Sequence, residues 1–150
     1  MFVKDIMFKN ITSVEEDAEL KYLIKILVRQ RRDTLPVVSK DNEYIGLIGV
    51  QDILNASVPG FCKVCSMVFM PNSKMLMKGL KKVSDKKVKS FLKKIPTVTE
   101  KDTAIHAANL MIRKGLQTVA VLKGKKLVGM VNLVDFLASL LNDYTITGNY

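Results

Sequence analysis

The sequence predicts an α+β (mixed α/β) fold made of two β-α-β-β-α repeats. The first observation is an internal repeat at an offset of 83–85 residues, since Val3-Lys4 corresponds to Val88-Lys89 and Asp52 to Asp135. The second is that both halves show the same order of strand and helix periodicities. The third is the length of 150 residues, which leaves repeats of roughly 50–60 residues that are marginal alone. We therefore expect the two repeats to pack together as one module.

The first half predicts a short strand, a helix, a hairpin and a closing helix. Asp17 is the expected N-cap of the first helix. The apolar stripe of this helix is Leu20, Leu23, Ile24, Leu27 and Val28. The segments TLPVVS and YIGLIGV predict a hairpin around a polar turn at residues 40–43. A short helix from about Gln51 closes the repeat.

The second half repeats this order. Asp102 or Thr103 begins the corresponding helix, and TVAVL and KLVGMV predict a hairpin with Gly124 in its turn. The apolar positions of the last helix are Leu133, Phe136, Leu137, Leu140 and Leu141. Part of this broad apolar face is core, and the rest favours self-association as a C2 dimer.

The net charge of +10 is regional. Residues 1–60 carry 8 basic and 9 acidic side chains, whereas residues 61–100 carry 10 basic and 2 acidic ones. The excess is nearly all lysine between Lys74 and Lys94, a span without arginine. A uniform +10 would favour nucleic-acid binding, but this distribution indicates two nearly balanced repeats joined by a lysine-rich segment.

Composition also excludes several classes. No stretch without a charged side chain exceeds ten residues, so the sequence predicts no membrane span. The start MFVKDIMFK does not look like a signal peptide. Two cysteines cannot form a disulfide scaffold, and we expect a reducing, cytoplasmic location.

The ordered segments resemble a tandem pair of CBS domains, the module named for cystathionine β-synthase. The resemblance rests on VKDIM at Val3–Met7, TLPVV followed by YIGLIGVQDIL, and TVAVL followed by KLVGMVNLVDFL. It assigns residues 1–56 and 86–142 to the two domains, 57–85 to a Lys-rich connector and 143–150 to a C-terminal tail. It implies sheets that face each other around a pseudo-two-fold axis, with two clefts that often bind AMP, ATP or S-adenosylmethionine.

The resemblance also implies ligand-binding positions. The family pattern Gly-hydrophobic-x-Thr/Ser-x-x-Asp ends in an Asp that accepts the ribose hydroxyls, and Asp52 and Asp135 occupy that place. An ionised carboxylate only accepts hydrogen bonds, so it can receive both O–H groups of a vicinal diol. The adenine positions map to Thr12, Ser13, Leu35 and Pro36 in the first half, and to Pro96, Thr97, Val119 and Ala120 in the second.

This sequence departs from that pattern in two ways. The Thr/Ser position is Gly49 in one repeat and Asn132 in the other. Positions that often carry His or Arg beside phosphates are Asp33-Thr34 and Gln117-Thr118. We therefore expect a ligand with little phosphate, or an asymmetric module with one working site; a ligand-free structural pair is the remaining alternative.

Other signals are weaker. Cys62 and Cys65 form a lone CxxC, for which loop packing is favoured over a metal or redox role. His106 lacks a partner at a motif spacing, and a helix-surface or interface role is favoured. No catalytic motif is present, so we expect no enzyme activity, no metal and no cofactor beyond the adenosine-type ligand.

The connector predicts a basic amphipathic helix after the turn at residues 71–73. Leu76, Leu80 and Val83 recur at helical spacing, and Lys74, Lys78, Lys81 and Lys82 lie mostly elsewhere on the wheel. A solvated strap packed on the module, a partner or nucleic-acid surface, and a membrane-surface contact all fit this pattern. Because no arginine or aromatic residue is interleaved with these lysines, the pattern disfavours base stacking.

Two functions follow. The first is a stand-alone regulatory module, expected to form a homodimer, that binds AMP, ADP, ATP, adenosine or S-adenosylmethionine and signals to a protein partner. The second is a basic scaffold for nucleic acid or an acidic protein, with unoccupied clefts.

Overall fold

The first repeat contains two helices and three strands in the predicted order. A computed structural model describes residues 1–58 and 72–147. A short helix α1 (Val3–Ile6) precedes the repeat, which consists of β1 (Val14–Glu15), α2 (Leu20–Gln30), β2 (Thr34–Val38), β3 (Tyr44–Gly49) and α3 (Val50–Ser57). The connector then forms α4 (Ser73–Ser84), which confirms the predicted basic helix.

The second repeat has the same order. A 3₁₀ helix (Val88–Phe91) leads into β4 (Val98–Thr99), α5 (Ala104–Lys114), β5 (Thr118–Lys123), β6 (Lys126–Asn132) and α6 (Leu133–Thr147). Helix α6 therefore continues into the segment that the sequence assigned to the tail. The predicted α+β fold with two β-α-β-β-α repeats is confirmed.

Each repeat forms a three-stranded sheet, in the order β1-β2-β3 and β4-β5-β6. The first pairing in each sheet is parallel, with Val14 opposite Val37 and Val98 opposite Val121. Strands β5 and β6 are antiparallel, so the predicted second hairpin is confirmed. The equivalent registers show that the repeat extends to strand pairing.

The chain forms two compact units that do not follow the order of the sequence. The second-repeat unit contains residues 1–12, 42–44 and 95–147, and the first-repeat unit contains residues 13–41, 45–58 and 72–94. Val3 N–H donates to the Asp102 carbonyl at 2.8 Å, and Val88 N–H donates to the Ala18 carbonyl at the same distance. Each repeat is thus completed by the segment that leads into the other repeat.

The two leading segments, residues 1–12 and 86–94, are called the exchanged segments, and each contributes to the core of the unit it joins. Val88 is fully buried in the core of the first-repeat unit, together with Leu20, Leu23 and Ile48. Val3 is fully buried in the core of the second-repeat unit, beside Met111. Burying a valine side chain stabilises a fold by about 1.5–3 kcal/mol, so each leading segment contributes directly to the stability of its unit.

Helix α4 packs on α3 through a close approach of two backbones. A Cβ atom on Gly79 would overlap the carbonyl oxygen of Ser57, the last residue of α3. Val83 of α4 is buried in the core of the first-repeat unit, and Leu80 packs partly buried against it. Asn72 caps α4 by accepting from Met75 N–H at 3.0 Å. The connector helix is therefore an integral part of this unit.

The cap predicted for the first helix is wrong. Helix α2 begins after Glu19, whose side chain makes no capping hydrogen bond. Asp17 instead pairs with Lys89 at 3.0 Å and with Lys40 at 3.5 Å, because the exchanged segment brings Lys89 beside it. The prediction for the second helix is confirmed at Thr103, whose hydroxyl accepts from His106 N–H at 3.3 Å.

Candidate functional site

In the first repeat, the candidate site lies where β3 passes into α3. The Val50 N–H donates to the Asp33 carbonyl at 2.9 Å, which ties the start of α3 to the residue before β2. The Gly49 N–H donates to Asp52 Oδ2 at 2.9 Å. A Cβ at position 49 would lie 3.2 Å from the Asp33 carbonyl oxygen and 3.4 Å from Thr34 Oγ1. Thr34 thus supplies a hydroxyl beside the glycine that replaces the expected Thr or Ser.

The second oxygen of Asp52 is also engaged. Asp52 Oδ1 forms an ion pair with Lys93 Nζ, in which the carboxylate side chain is 14% exposed and the lysine side chain 63% exposed. Lys93 belongs to the exchanged segment, and its backbone pairs with Leu47 of β3. The candidate ligand carboxylate of the first repeat is therefore bonded to the protein through both oxygens.

In the second repeat, the equivalent junction is built differently. The Leu133 N–H donates to the Gln117 carbonyl at 3.1 Å, as Val50 does to Asp33. Asn132 pairs with Thr118 across the sheet, and its side-chain oxygen accepts from Asp135 N–H at 2.7 Å. Asn132 therefore caps α6 at the position where the first repeat has Gly49.

This difference leaves one carboxylate oxygen without a partner. Asp135 Oδ2 is buried and accepts no hydrogen bond from any described residue. A buried acceptor that has lost its water without a replacement costs about 1–3 kcal/mol. A hydrogen-bond donor brought to Asp135 Oδ2 would remove this cost.

A buried tyrosine hydroxyl shares this property. Tyr44 Oη lies in the second-repeat unit and has no hydrogen-bond partner among the described residues. Burial raises the pKa of Tyr44 to about 12, so the hydroxyl stays protonated. Sequence reasoning gave no reason to select this residue.

The remaining predicted residues divide between the two units. Ser13, Leu35 and Pro36 share the first-repeat unit with Thr34 and Asp52, whereas Thr12 belongs to the second-repeat unit. Pro96, Thr97, Val119 and Ala120 share the second-repeat unit with Thr118, Asn132 and Asp135. Leu35, Pro36, Val119 and Ala120 are buried, and Ser13, Pro96 and Thr97 are exposed. Their assignment to adenine binding stays a prediction.

Sequence reasoning missed Lys93. The internal offset aligns this lysine with Phe8, yet nothing in the sequence connects it to Asp52. Its place follows from the exchange of leading segments, which only the fold shows.

Other sequence signals carry no site in the described part of the chain. His106 is exposed on α5, and Cys62 and Cys65 lie outside the described residues. No group of three or more His, Cys, Asp and Glu side chains within residues 1–58 and 72–147 could hold a metal ion. No helix in those ranges is both long and apolar enough to cross a bilayer.

The repeats, their sheets and the two junctions define a tandem CBS-domain protein. The family model for the CBS domain matches residues 3–59 and 88–142, and the chain belongs to this family. The resemblance inferred from the sequence is thereby confirmed.

Known relatives share this fold over nearly the whole chain. An uncharacterized protein of Methanocaldococcus jannaschii is 27% identical over 94% of this chain and 92% of its own length. The CBS-pair protein CBSX2 from Arabidopsis thaliana has a TM-score of 0.80 at 18% identity, covering 96% of both chains. CBSX2 in complex with AMP has a TM-score of 0.73 at 19% identity, covering 95% of this chain and 97% of CBSX2.

Proposed function

We propose that this chain is a regulatory CBS-pair module that binds an adenosine-containing ligand through Asp135 and changes its affinity for a protein partner in response. The observation that carries the proposal is the buried, unpartnered Oδ2 of Asp135. A ribose diol offers two O–H donors to such a carboxylate. Binding would remove the cost of the unsatisfied acceptor, which favours the bound state.

The surrounding groups favour a ligand with little phosphate. Gln117 and Thr118, which precede the buried part of β5, are neutral, so no side chain at these two positions balances a triphosphate. Charge-assisted hydrogen bonds are about twice as strong as neutral ones. Adenosine, AMP and S-adenosylmethionine are therefore favoured over ATP. The AMP complex of CBSX2, a protein with the same fold, supports this ligand class.

Titration tests the proposal. Adenosine, AMP, ADP, ATP and S-adenosylmethionine are added separately, and binding heat and melting temperature are recorded. A specific ligand at 100 times its Kd should add about 2.7 kcal/mol to the free energy of unfolding. Asp135→Asn should strongly reduce this gain, and Asp41→Asn, which changes an exposed turn residue, should retain it. Absence of binding below millimolar concentration, or unchanged binding by Asp135→Asn, would refute the proposal.

Regulation requires a difference between two states. A ligand shifts affinity for a partner only if it binds the two states unequally, and the partner must change ligand affinity by the same factor. A cytoplasmic location belongs to the same proposal, because cellular AMP and S-adenosylmethionine would have to reach the site.

We also propose a C2 homodimer. Val134, Leu137 and Leu141 of α6 are 71%, 59% and 65% exposed. Helix α3, which is the counterpart of α6 in the first repeat, is instead packed against α4 through Ser57 and Gly79. An apolar helix face of this kind favours burial against a second copy.

A second candidate function is a basic docking surface. Lys74, Lys78, Lys81 and Lys82 are all exposed on α4, while Val83 on its other side is buried. No ion pair among the described residues neutralises these four lysines. Replacing all four with Gln should abolish retention on a polyanion column and its salt dependence. A wild-type protein that is not retained at low salt would rule this function out.

A further inference from the structure

We infer that the Lys93 ammonium blocks the Asp52 carboxylate of the first repeat from binding ribose. The two repeats then bind ligand with unequal affinity, and the second repeat binds first. The inference rests on the proposed function, because it concerns the regulation of the same class of site. It assigns Lys93 as a specificity-determining residue supplied by the exchanged segment.

The geometry at Asp52 carries the first step. Its Oδ2 accepts from Gly49 N–H at 2.9 Å, and its Oδ1 is paired with the Lys93 ammonium. Asp52 is only 14% exposed, so water can reach little of the carboxylate. A ribose diol must therefore compete with contacts that already exist within the protein.

The Lys93 ammonium can leave the Asp52 carboxylate readily. The Lys93 side chain is 63% exposed, and an ammonium that leaves Asp52 is at once solvated. Solvent thus compensates the lysine for the lost contact, and a ribose diol would replace the ammonium at the carboxylate. Lys93 is therefore a reversible competitor for the carboxylate.

Comparison of the two repeats carries the second step. Lys93 pairs with Leu47 of β3, and Phe8 pairs with Met130 of β6 through hydrogen bonds of 2.9 and 3.1 Å. The preceding residues match as well. A Cβ on Gly46 would lie 3.2 Å from a Leu92 side-chain atom, and one on Gly129 would lie 2.6 Å from Met7 Sδ. Lys93 and Phe8 thus occupy equivalent places.

The equivalence of Lys93 and Phe8 explains why an ammonium blocks Asp52 but not Asp135. The second repeat has an uncharged phenyl side chain where the first has an ammonium, so Phe8 cannot pair with Asp135. The helix starts also differ: the Asp52 side chain accepts from Gly49 N–H in the first repeat, whereas in the second repeat Asp135 N–H donates to the Asn132 side chain. Asp135 Oδ2 consequently has no partner among the described residues, whereas both oxygens of Asp52 have one.

The expected effect is a difference of at least about fivefold in affinity between the repeats. An exposed ion pair of up to about 1 kcal/mol corresponds to about fivefold, and the unsatisfied acceptor at Asp135 increases the difference. Removing the ammonium should therefore tighten binding to the first repeat by about fivefold.

Calorimetric titration with AMP and adenosine tests the inference in an Asp135→Asn background, where only the first repeat can bind. Adding Lys93→Met should tighten binding about fivefold, and adding Asp52→Asn as well should abolish it. Lys94→Met, which removes the neighbouring exposed lysine, should leave affinity unchanged. The reciprocal Phe8→Lys variant of the wild-type chain should weaken binding to Asp135. Weaker or unchanged binding by Lys93→Met would overturn the inference, because Lys93 would then contact the ligand or be irrelevant.

A ligand-free measurement separates this inference from the proposed function. Melting temperatures of Asp52→Asn, Lys93→Met and the double variant form a cycle, and the pair should show non-additive changes. Asp52→Asn and Lys94→Met should be additive. If no ligand binds but the cycle shows coupling, only the proposed function fails. If the effects of Asp52→Asn and Lys93→Met on melting temperature are additive, the inference about Lys93 fails whether or not a ligand binds.

Discussion

Replacement of Gly79 by alanine tests the packing of α4 on α3. In an exposed helix this change would raise the free energy of unfolding by about 1 kcal/mol, because glycine is a poor helix former. Here the new methyl group would overlap the Ser57 carbonyl oxygen. Ser57 is itself 2% exposed and its hydroxyl is bonded to the Ile53 carbonyl at 2.8 Å, so the backbone of α3 has little room to yield.

The balance of these effects predicts destabilisation. Overpacking costs about 1–3 kcal/mol, and movement of α4 would also expose part of Val83, which is 6% exposed. Complete burial of a valine contributes about 1.5–3 kcal/mol. After subtracting the gain in helix propensity, we expect the free energy of unfolding to fall by about 2–3 kcal/mol.

Urea denaturation and calorimetry provide the measurement. At about 2–4 °C per kcal/mol for a protein of this size, the melting temperature should fall by about 4–12 °C. Lys78→Ala changes an exposed residue of the same helix and should alter the free energy of unfolding by less than about 0.5 kcal/mol. An increase in stability for Gly79→Ala would show that helix propensity dominates and that the two backbones do not approach closely.

Three further predictions concern capping, pH and assembly. Thr103→Ala should lower the free energy of unfolding by about 1 kcal/mol because it removes the α5 cap, whereas Glu19→Ala, at a cap without a side-chain bond, should cost less; equal effects in denaturant melts would contradict this. The Lys89 ammonium lowers the pKa of Asp17 from 3.8, so the stability this pair contributes is present above pH 3.8 and lost as the pH falls through the folded pKa. Lys89→Met should flatten that acid dependence in pH-resolved melts, and an unchanged profile would exclude the pair as its source. Leu137→Glu should convert the proposed dimer to a monomer in analytical ultracentrifugation, and a monomeric wild type at tens of micromolar would refute the dimer.

The fold was largely predictable because its signals are local and occur twice. The apolar spacing from Leu20 to Leu27 predicts α2, and the same signal recurs in α5. The pairing of β2 with β3 and of β5 with β6 followed from the two β-rich segments of each repeat. The cap of α2 was not predictable from Asp17, since that carboxylate is held by Lys89, which is distant in sequence and close in space.

The sequence selects the positions of the two candidate carboxylates but does not predict which groups they contact. The repeat and the family resemblance together select Asp52 and Asp135, and both lie in the first turn of a helix that follows the third strand of a sheet. What distinguishes them depends on Lys93 and on the Asn132 cap. Sequence spacing could not show either contact, because one arises from segment exchange and the other from a side-chain orientation.

The exchange of leading segments determines the smallest part of this chain that can fold. A fragment that begins after residue 12 and ends before residue 86 lacks Val88, and a fragment that begins at residue 95 lacks Val3. Each missing valine is fully buried in the core of the unit that would lack it. We therefore expect that neither repeat folds when it is separated from the rest of the chain. Two halves cut between the repeats would carry each other's missing piece, so we expect them to regain the fold only when mixed, as complementary fragments of a single folding unit.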